Sequence, residues 1–83
     1  GETGTESGVY RLEGTIGQID LQRSMFTLDM TQGGTLAVFL PGTAPASDRD
    51  RLREYRVGDY VRVEVRPIDQ EQAELVRWGW SDR

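Results

Sequence analysis

A strict alternation of apolar and polar side chains follows the pair Gly58-Asp59 and ends at Pro67. A period of two, with β-branched residues on one side, predicts a strand with one buried face and one solvent-facing face. The predicted buried side holds Val61, Val63 and Val65, and the solvent side holds Tyr60, Arg62, Glu64 and Arg66. This strand is the strongest indication of the fold and the first place to look for a binding surface.

The length and composition limit what the chain can be. A chain of 83 residues predicts one domain, because domains usually hold roughly 100–200 residues. Cysteine and histidine are absent, which excludes disulfides, thiolate chemistry and imidazole ligands or bases. No apolar run reaches the roughly 20 residues of a membrane span, so we expect no membrane partner. We also expect the chain to be a monomer.

The first eight residues differ in character from the rest. They include three glycines and no apolar side chain, a composition typical of a disordered tail. We therefore predict a tail over residues 1–8 and a single domain over residues 9–83.

Four further segments have the pattern of strands or turns. A change from even to odd apolar positions in the first strand predicts a bulge near Gly14 or Gly17. Gly33 and Gly34 lie in the turn 31–34, which is typical of a β-hairpin. The predicted strands besides 60–67 are Val9–Asp20, Met25–Met30, Thr35–Leu40 and Ala73–Trp80.

A short helix is predicted between the third and fourth strands. Ser47 stands three residues before Asp50, which resembles a capping box. Leu52 and Tyr55 share a helical face, and Gly58 is suited to the position after the helix. An irregular loop with a single helical turn is the alternative interpretation.

The element order favours one fold class. Three strands, a helical connection and two more strands, with a bent first strand, predict an all-β, five-stranded OB-fold barrel. The alternative is a small open sheet with a helix packed on it. We prefer the closed barrel because a short open sheet leaves two exposed edges.

The charge pattern has two interpretations. All ten basic residues are arginine, and the net charge is −4. A lysine-poor composition can arise from codon bias alone, whereas arginines also suit bidentate recognition of phosphate. The overall acidity weakens a general nucleic-acid interpretation, because non-specific binding rests on positive charge.

Nothing in the chain predicts catalysis. The serines have no imidazole or lysine to activate them, and Gly33-Gly34 lacks the lysine and helix of a phosphate loop. Asp69 and Glu71 form a weak candidate for a divalent metal site. We expect no enzyme activity, no catalytic residue, no bound metal and no cofactor.

A binding surface is better supported by the residues. OB-fold barrels bind single-stranded nucleic acid with flat side chains beside cationic groups, and stacking contributes about 1–3 kcal/mol per base. Trp78 and Trp80 share a face, however, and at least one of them is expected in the core. The outward candidates are Phe39, Tyr60, Arg62, Arg66, Arg77 and Trp78.

Taken in order, several segments resemble the bacterial translation initiation factor 1 family, a small OB-fold barrel of the S1 type. The resemblance covers about residues 12–77, and its most specific part is the Gly-Asp strand that ends in Pro-x-Asp. The matching segments are Glu13–Ile16, Met25-Phe26, Leu40–Gly42, Gly58–Glu64 and Arg66–Asp69.

The resemblance implies a non-catalytic cytoplasmic protein that binds ribosomal RNA on the small ribosomal subunit, beside other initiation factors. Arg62, Arg66, Arg77 and Phe39 are then expected to contact RNA, with Tyr60 and Trp78 beside them. Weaker phosphate contacts are expected from Arg49, Arg51 and Arg53.

The chain also departs from the family pattern. The family carries basic residues directly after the glycine matched by Gly42, whereas here the stretch 43–48 has none. Glu74 replaces a basic residue, and Phe39 replaces a histidine. An acidic OB-type protein-interaction module of a larger or envelope protein is therefore the alternative function, and a purely structural domain is a third.

Overall fold

The computed structural model describes residues 8–79, and the predictions for residues 1–7 and for Trp80 lie outside this range. The first strand and the helix that follows the third are the longest elements. In chain order the elements are β1 (Tyr10–Asp20), β2 (Met25–Met30), β3 (Thr35–Phe39), α1 (Ala46–Glu54), β4 (Tyr60–Pro67) and β5 (Gln72–Trp78).

The strands close into a barrel in the order β1-β2-β3-β5-β4. All neighbouring pairs are antiparallel except β3 and β5, which run parallel over Ala37–Phe39 and Gln72–Glu74. The closed barrel with one short helix confirms the predicted OB-fold.

The long first strand pairs with β4 along its first half and with β2 along its second half. The register shifts between Ile16 and Gln18, so the predicted bulge lies at Gly17. Gly14 has no room for a side chain, because a Cβ there would overlap the backbone oxygen of Asp29. Both glycines let β1 bend and serve two neighbours.

The apolar sides of the strands meet inside the barrel. Val61, Val63 and Val65 are buried, as their alternation predicted. Phe26 and Leu28 of β2 join them, also buried. Burial of a side chain of this size stabilises the fold by about 1.5–3 kcal/mol, so this small core provides most of the favourable energy.

The helix begins and ends earlier than the sequence predicted. Its N-cap is Pro45, and no side chain caps it, so the predicted capping box at Ser47 is wrong. Its C-cap is Tyr55, in an extended conformation, so Gly58 does not end the helix. Gly58 instead has a φ of 98° in the turn before β4, where its amide donates to the Ile16 carbonyl.

The boundaries of three strands also differ, and the first of them begins at Tyr10 rather than Val9. β3 ends at Phe39 rather than Leu40, because the Leu40 amide donates to the carbonyl of Ser24. β5 begins at Gln72 and ends at Trp78. The amide of Gly79 then donates to the Arg62 carbonyl, which keeps the end of β5 against β4.

Candidate functional site

Three predicted RNA contacts lie on β4 and β5, and each is close to a carboxylate. The shortest contact joins Arg77 Nε to Glu64 Oε1 at 2.7 Å. Arg62 Nε lies 3.4 Å from Glu13 Oε1, and a guanidinium nitrogen of Arg66 lies 3.8 Å from Glu74 Oε1. The three arginines and their carboxylate partners face outward on β1, β4 and β5, and this surface is called the outer wall below. Its members are Glu13, Arg62, Glu64, Arg66, Glu74 and Arg77.

Glu64 is the centre of a row that crosses three strands of the outer wall. The register places Arg11 of β1 and Arg77 of β5 on either side of it. Arg11 Nε donates to Glu64 Oε2 at 3.0 Å, so each carboxylate oxygen has its own arginine. Opposite charges directly across strands stabilise a sheet by roughly 0.2–1 kcal/mol per pair.

Glu64 is only 8% exposed, so the prediction that its side chain faces solvent on β4 is wrong. The strand alternation was right about its direction, since Val63 and Val65 point into the barrel. Arg11 and Arg77 cover the carboxylate from the neighbouring strands. The alternation of side chains along one strand cannot show that residues of neighbouring strands will cover one of them.

Tyr60 and Arg62 share one carboxylate at the start of β4. The Tyr60 hydroxyl donates to Oε1 of Glu13, the same oxygen that Arg62 approaches. This hydrogen bond to Glu13 is the main cause that raises the pKa of Tyr60 above its ordinary value of 10.0. Tyr60 is therefore engaged with β1, although its side chain is exposed.

The arginines of α1 face different partners. Arg49 donates to the carbonyls of Ala44 and Pro41 at 3.2 and 3.4 Å, which ties the helix to the connection before it. Arg51 donates to the Tyr55 hydroxyl at 3.3 Å. Arg53 lies exposed in the last helical turn. These partners of Arg49 and Arg51 are therefore different from the carboxylates that pair with the arginines of the outer wall.

Trp78 packs at the end of the barrel where α1 lies. Its ring stacks on Phe26 with centroids 5.3 Å apart and contacts Tyr55 at 5.1 Å. Its indole N–H donates to the Asp48 carbonyl at 3.2 Å. These contacts support the core interpretation of Trp78, because its ring packs on the barrel and on α1 rather than facing solvent alone.

Phe39 is half-buried rather than fully exposed. The barrel register places it beside Glu74, which in turn pairs with Arg66. The predicted ring and one predicted arginine thus share a row, but a carboxylate lies between them. The outer wall therefore alternates in sign instead of presenting a continuous basic stripe.

Two concave surfaces, called hollows below, are lined by residues other than the predicted RNA contacts. The first is a groove of about 780 Å³ between the β1–β2 connection and the α1–β4 connection. Leu21 and Val57 are exposed on its two sides. The charged residues that line it are Asp20 and Arg23, which lie 3.8 Å apart. The groove is therefore close to neutral.

The second hollow, called the mouth below, is a cavity of about 190 Å³ at the barrel end opposite α1. Within residues 8–79, Asp69 contributes the only carboxylate to its lining. Tyr10 and Ile68 lie exposed near it, at 56% and 58%. Its apolar lining comes from every strand of the barrel: Tyr10, Leu12, Met30, Leu36, Val65 and Ala73.

The mouth was missed because its residues look like ordinary core positions in the sequence. Leu12, Leu36 and Val65 belong to alternating strands, and the alternation predicts burial without showing which barrel end is covered. The signal available was the single helix: one helix of 9 residues can cover one end of a barrel only.

Carboxylates are too scattered in the described part of the chain to form a metal centre. Among residues 8–79, no group of three carboxylates or other ligand side chains could hold a metal ion. No helix in the same range has the length and apolar character needed to cross a membrane.

The comparisons with known proteins agree on the fold. The structure of apo-CusF residues 6–88 from Escherichia coli has a TM-score of 0.64 and 19% identity, covering 99% of this chain and 100% of that chain. Translation initiation factor 1 from the Wolbachia endosymbiont strain TRS of Brugia malayi has a TM-score of 0.55 and 14% identity, with 98% and 90% covered. No protein-family profile and no curated protein matches the chain. At these identities the likeness shows an OB-fold and nothing finer.

Proposed function

We propose that this OB-fold domain is a non-catalytic binding module whose partner is a protein. The observation that carries the proposal is the pairing of the outer wall: Arg62, Arg66 and Arg77 each lie within 4.0 Å of a carboxylate. A surface compensated in this way has little positive field with which to attract a polyanion.

The electrostatics of nucleic-acid binding explain why this pairing supports a protein partner. Affinity for RNA comes largely from cations that replace the counterions of phosphates. Glu64 holds two arginines at 2.7 and 3.0 Å, and the whole chain carries a charge of −4. A phosphate that approached Arg77 would also approach the Glu64 carboxylate, so attraction and repulsion nearly cancel.

The aromatic residues support the same conclusion. Stacking on a base needs a free ring face, and the ring of Trp78 is already in contact with Phe26 and Tyr55. The groove and the mouth are instead concave, and the lining of the mouth is largely apolar. Concave apolar surfaces with a few polar groups are typical of sites that receive side chains or small molecules.

A salt titration with small ribosomal subunits and with a single-stranded RNA tests the proposal. We expect no binding at low ionic strength. The control variant is Arg23→Ala, which removes the same charge away from the outer wall. RNA binding that weakens steeply with salt and drops in Arg62→Ala and Arg77→Ala, but not in Arg23→Ala, overturns the protein-partner proposal.

RNA binding at the outer wall is the second candidate function, and one observation favours it. The side chains of Arg66 and Arg77 keep 53% and 60% of their surface exposed. Ion pairs at exposed positions contribute only about 0–1 kcal/mol. Exchange of a carboxylate for a phosphate therefore costs little, and the same salt titration decides between the two candidates.

A further inference from the structure

The two hollows differ in charge and in what closes them. The groove contains an acidic and a basic side chain 3.8 Å apart. Within residues 8–79, the lining of the mouth includes Asp69 and no basic side chain, and Glu71 follows in the same loop. The nearest arginines along the chain, Arg11 and Arg66, are engaged with Glu64 and Glu74. The mouth is thus an apolar cavity beside acidic groups.

The volume of the mouth indicates the size of group that fits. An apolar cavity of about 150 Å³ is large enough to hold benzene, and the mouth measures about 190 Å³. One aromatic or large aliphatic side chain therefore fits in it. Residues 1–7 contain no apolar side chain, so a group of this kind is not among them.

We propose that the mouth is the docking site for a partner protein segment that presents one aromatic or large aliphatic side chain next to arginine or lysine. The apolar group enters among Leu12, Met30 and Leu36, and its cationic neighbour lies beside Asp69. This inference rests on the proposed function, since it names the site and the chemistry of the partner.

A short peptide tests the site directly. The probe is acetyl-Gly-Phe-Arg-Arg-Gly-amide, titrated into the isotopically labelled chain to roughly 5 mM, a range suited to weak binding. We expect shifts in the backbone amides of Leu36, Gln70 and Ala73, with those of Leu52 and Trp78 unchanged. Replacing phenylalanine in the peptide by alanine is expected to weaken binding about tenfold or more.

Charge is tested by a second peptide and a matched pair of variants. A peptide with glutamates in place of both arginines is expected to bind about threefold or more weakly. The double variant D69N/E71Q is expected to lose most of the preference for the arginine peptide over the glutamate peptide. The control D50N/E54Q makes the same change in net charge on α1, at the other end of the barrel. This control is expected to keep the preference for the arginine peptide.

Occupancy is tested by filling the cavity. Met30 and Met25 both lie half-buried on β2, the first lining the mouth and the second lining the groove. Met30→Trp is expected to abolish peptide binding, whereas Met25→Trp keeps it. Thermal unfolding of both variants shows that each is folded before it is compared.

Three results overturn the inference. They are the absence of amide shifts at the highest peptide concentration, shifts confined to the groove, and a concentration-dependent dimer that Met30→Trp removes. The last result makes a second copy of the chain the occupant. None of these results measures RNA binding. The salt titration therefore tests the proposed function separately from this inference.

Discussion

The two ends of the barrel are built from similar strands, yet residues 8–79 close only one of them. At the α1 end, Leu52 is 1% exposed and packs into the core, and the rings of Trp78 and Tyr55 contact each other and pack against the same core. At the mouth, Leu12 and Met30 remain half-buried around a cavity. The difference shows that strand alternation builds the wall of a barrel, while a separate element must cover each end.

This difference also separates stability from binding. Leu52 at the α1 end is buried in the core, so its substitution removes packing that folding requires. The mouth has apolar surface left over, so substitutions there remove less packing and change what can dock. The outer wall connects the two ends and is held by ion pairs.

The largest effect is expected from Leu52→Ala. Loss of a fully buried leucine costs about 2–5 kcal/mol, a large part of the stability of a domain this small. The matched variant at the mouth, Leu12→Ala, is expected to cost about 1–2 kcal/mol because its side chain is half-buried. Chemical denaturation measures both, and equal losses contradict the difference between the ends.

A smaller effect is expected from Trp78→Phe. The variant loses the hydrogen bond to the Asp48 carbonyl and part of the stack on Phe26, which together cost about 1–2 kcal/mol. Tyr10→Phe at the mouth is the control, with an expected change within about 0.5 kcal/mol. An unchanged midpoint in Trp78→Phe means that the ring does not close this end.

The outer wall is tested by Glu64→Gln. Two half-exposed arginines lose their shared carboxylate, which is expected to lower the free energy of unfolding by about 1 kcal/mol. The variant also frees positive charge, so RNA retention at low salt is expected to rise. Glu54→Gln makes the same charge change on α1, and an equal rise there shows that only net charge matters.

The smallest effect concerns Tyr60 at high pH. Its pKa is raised in the folded state by the hydrogen bond to Glu13, so the unfolded chain loses its proton first. The contribution to stability is therefore present below pH 10.0 and is lost as the pH rises through the folded pKa. Phenolate absorbance, compared with Tyr60→Phe, measures the shift. Titration of Tyr60 at or below its ordinary value contradicts it.

The fold was predictable in outline because its signals are local. The alternation around Val61, Val63 and Val65 determined which face is buried, and Gly33 and Gly34 have the positive φ values of 112° and 91° that the hairpin required. The helix position was predicted, but its ends were not. Pro45 rather than Ser47 precedes it, because the path out of β3 decides where the helix can begin.

The candidate site was predictable only as a set of residue types. The sequence correctly placed Arg62, Arg66 and Arg77 on outward positions of β4 and β5. It could not show that Glu13, Glu64 and Glu74 lie across the strands from them. Those partners are up to 49 positions apart in the chain, as for Glu13 and Arg62, and only the barrel register brings them together.

The sequence by itself determined the number of strands, their inward faces and the place of the helix, because each depends on neighbours within a few positions. Tertiary structure alone decided that Trp78 packs at one end, that Glu64 is covered by Arg11 and Arg77, and that the described part of the chain leaves a cavity at the other end. These features depend on strand order and register, which bring distant residues within a few ångströms and leave no local pattern in the chain.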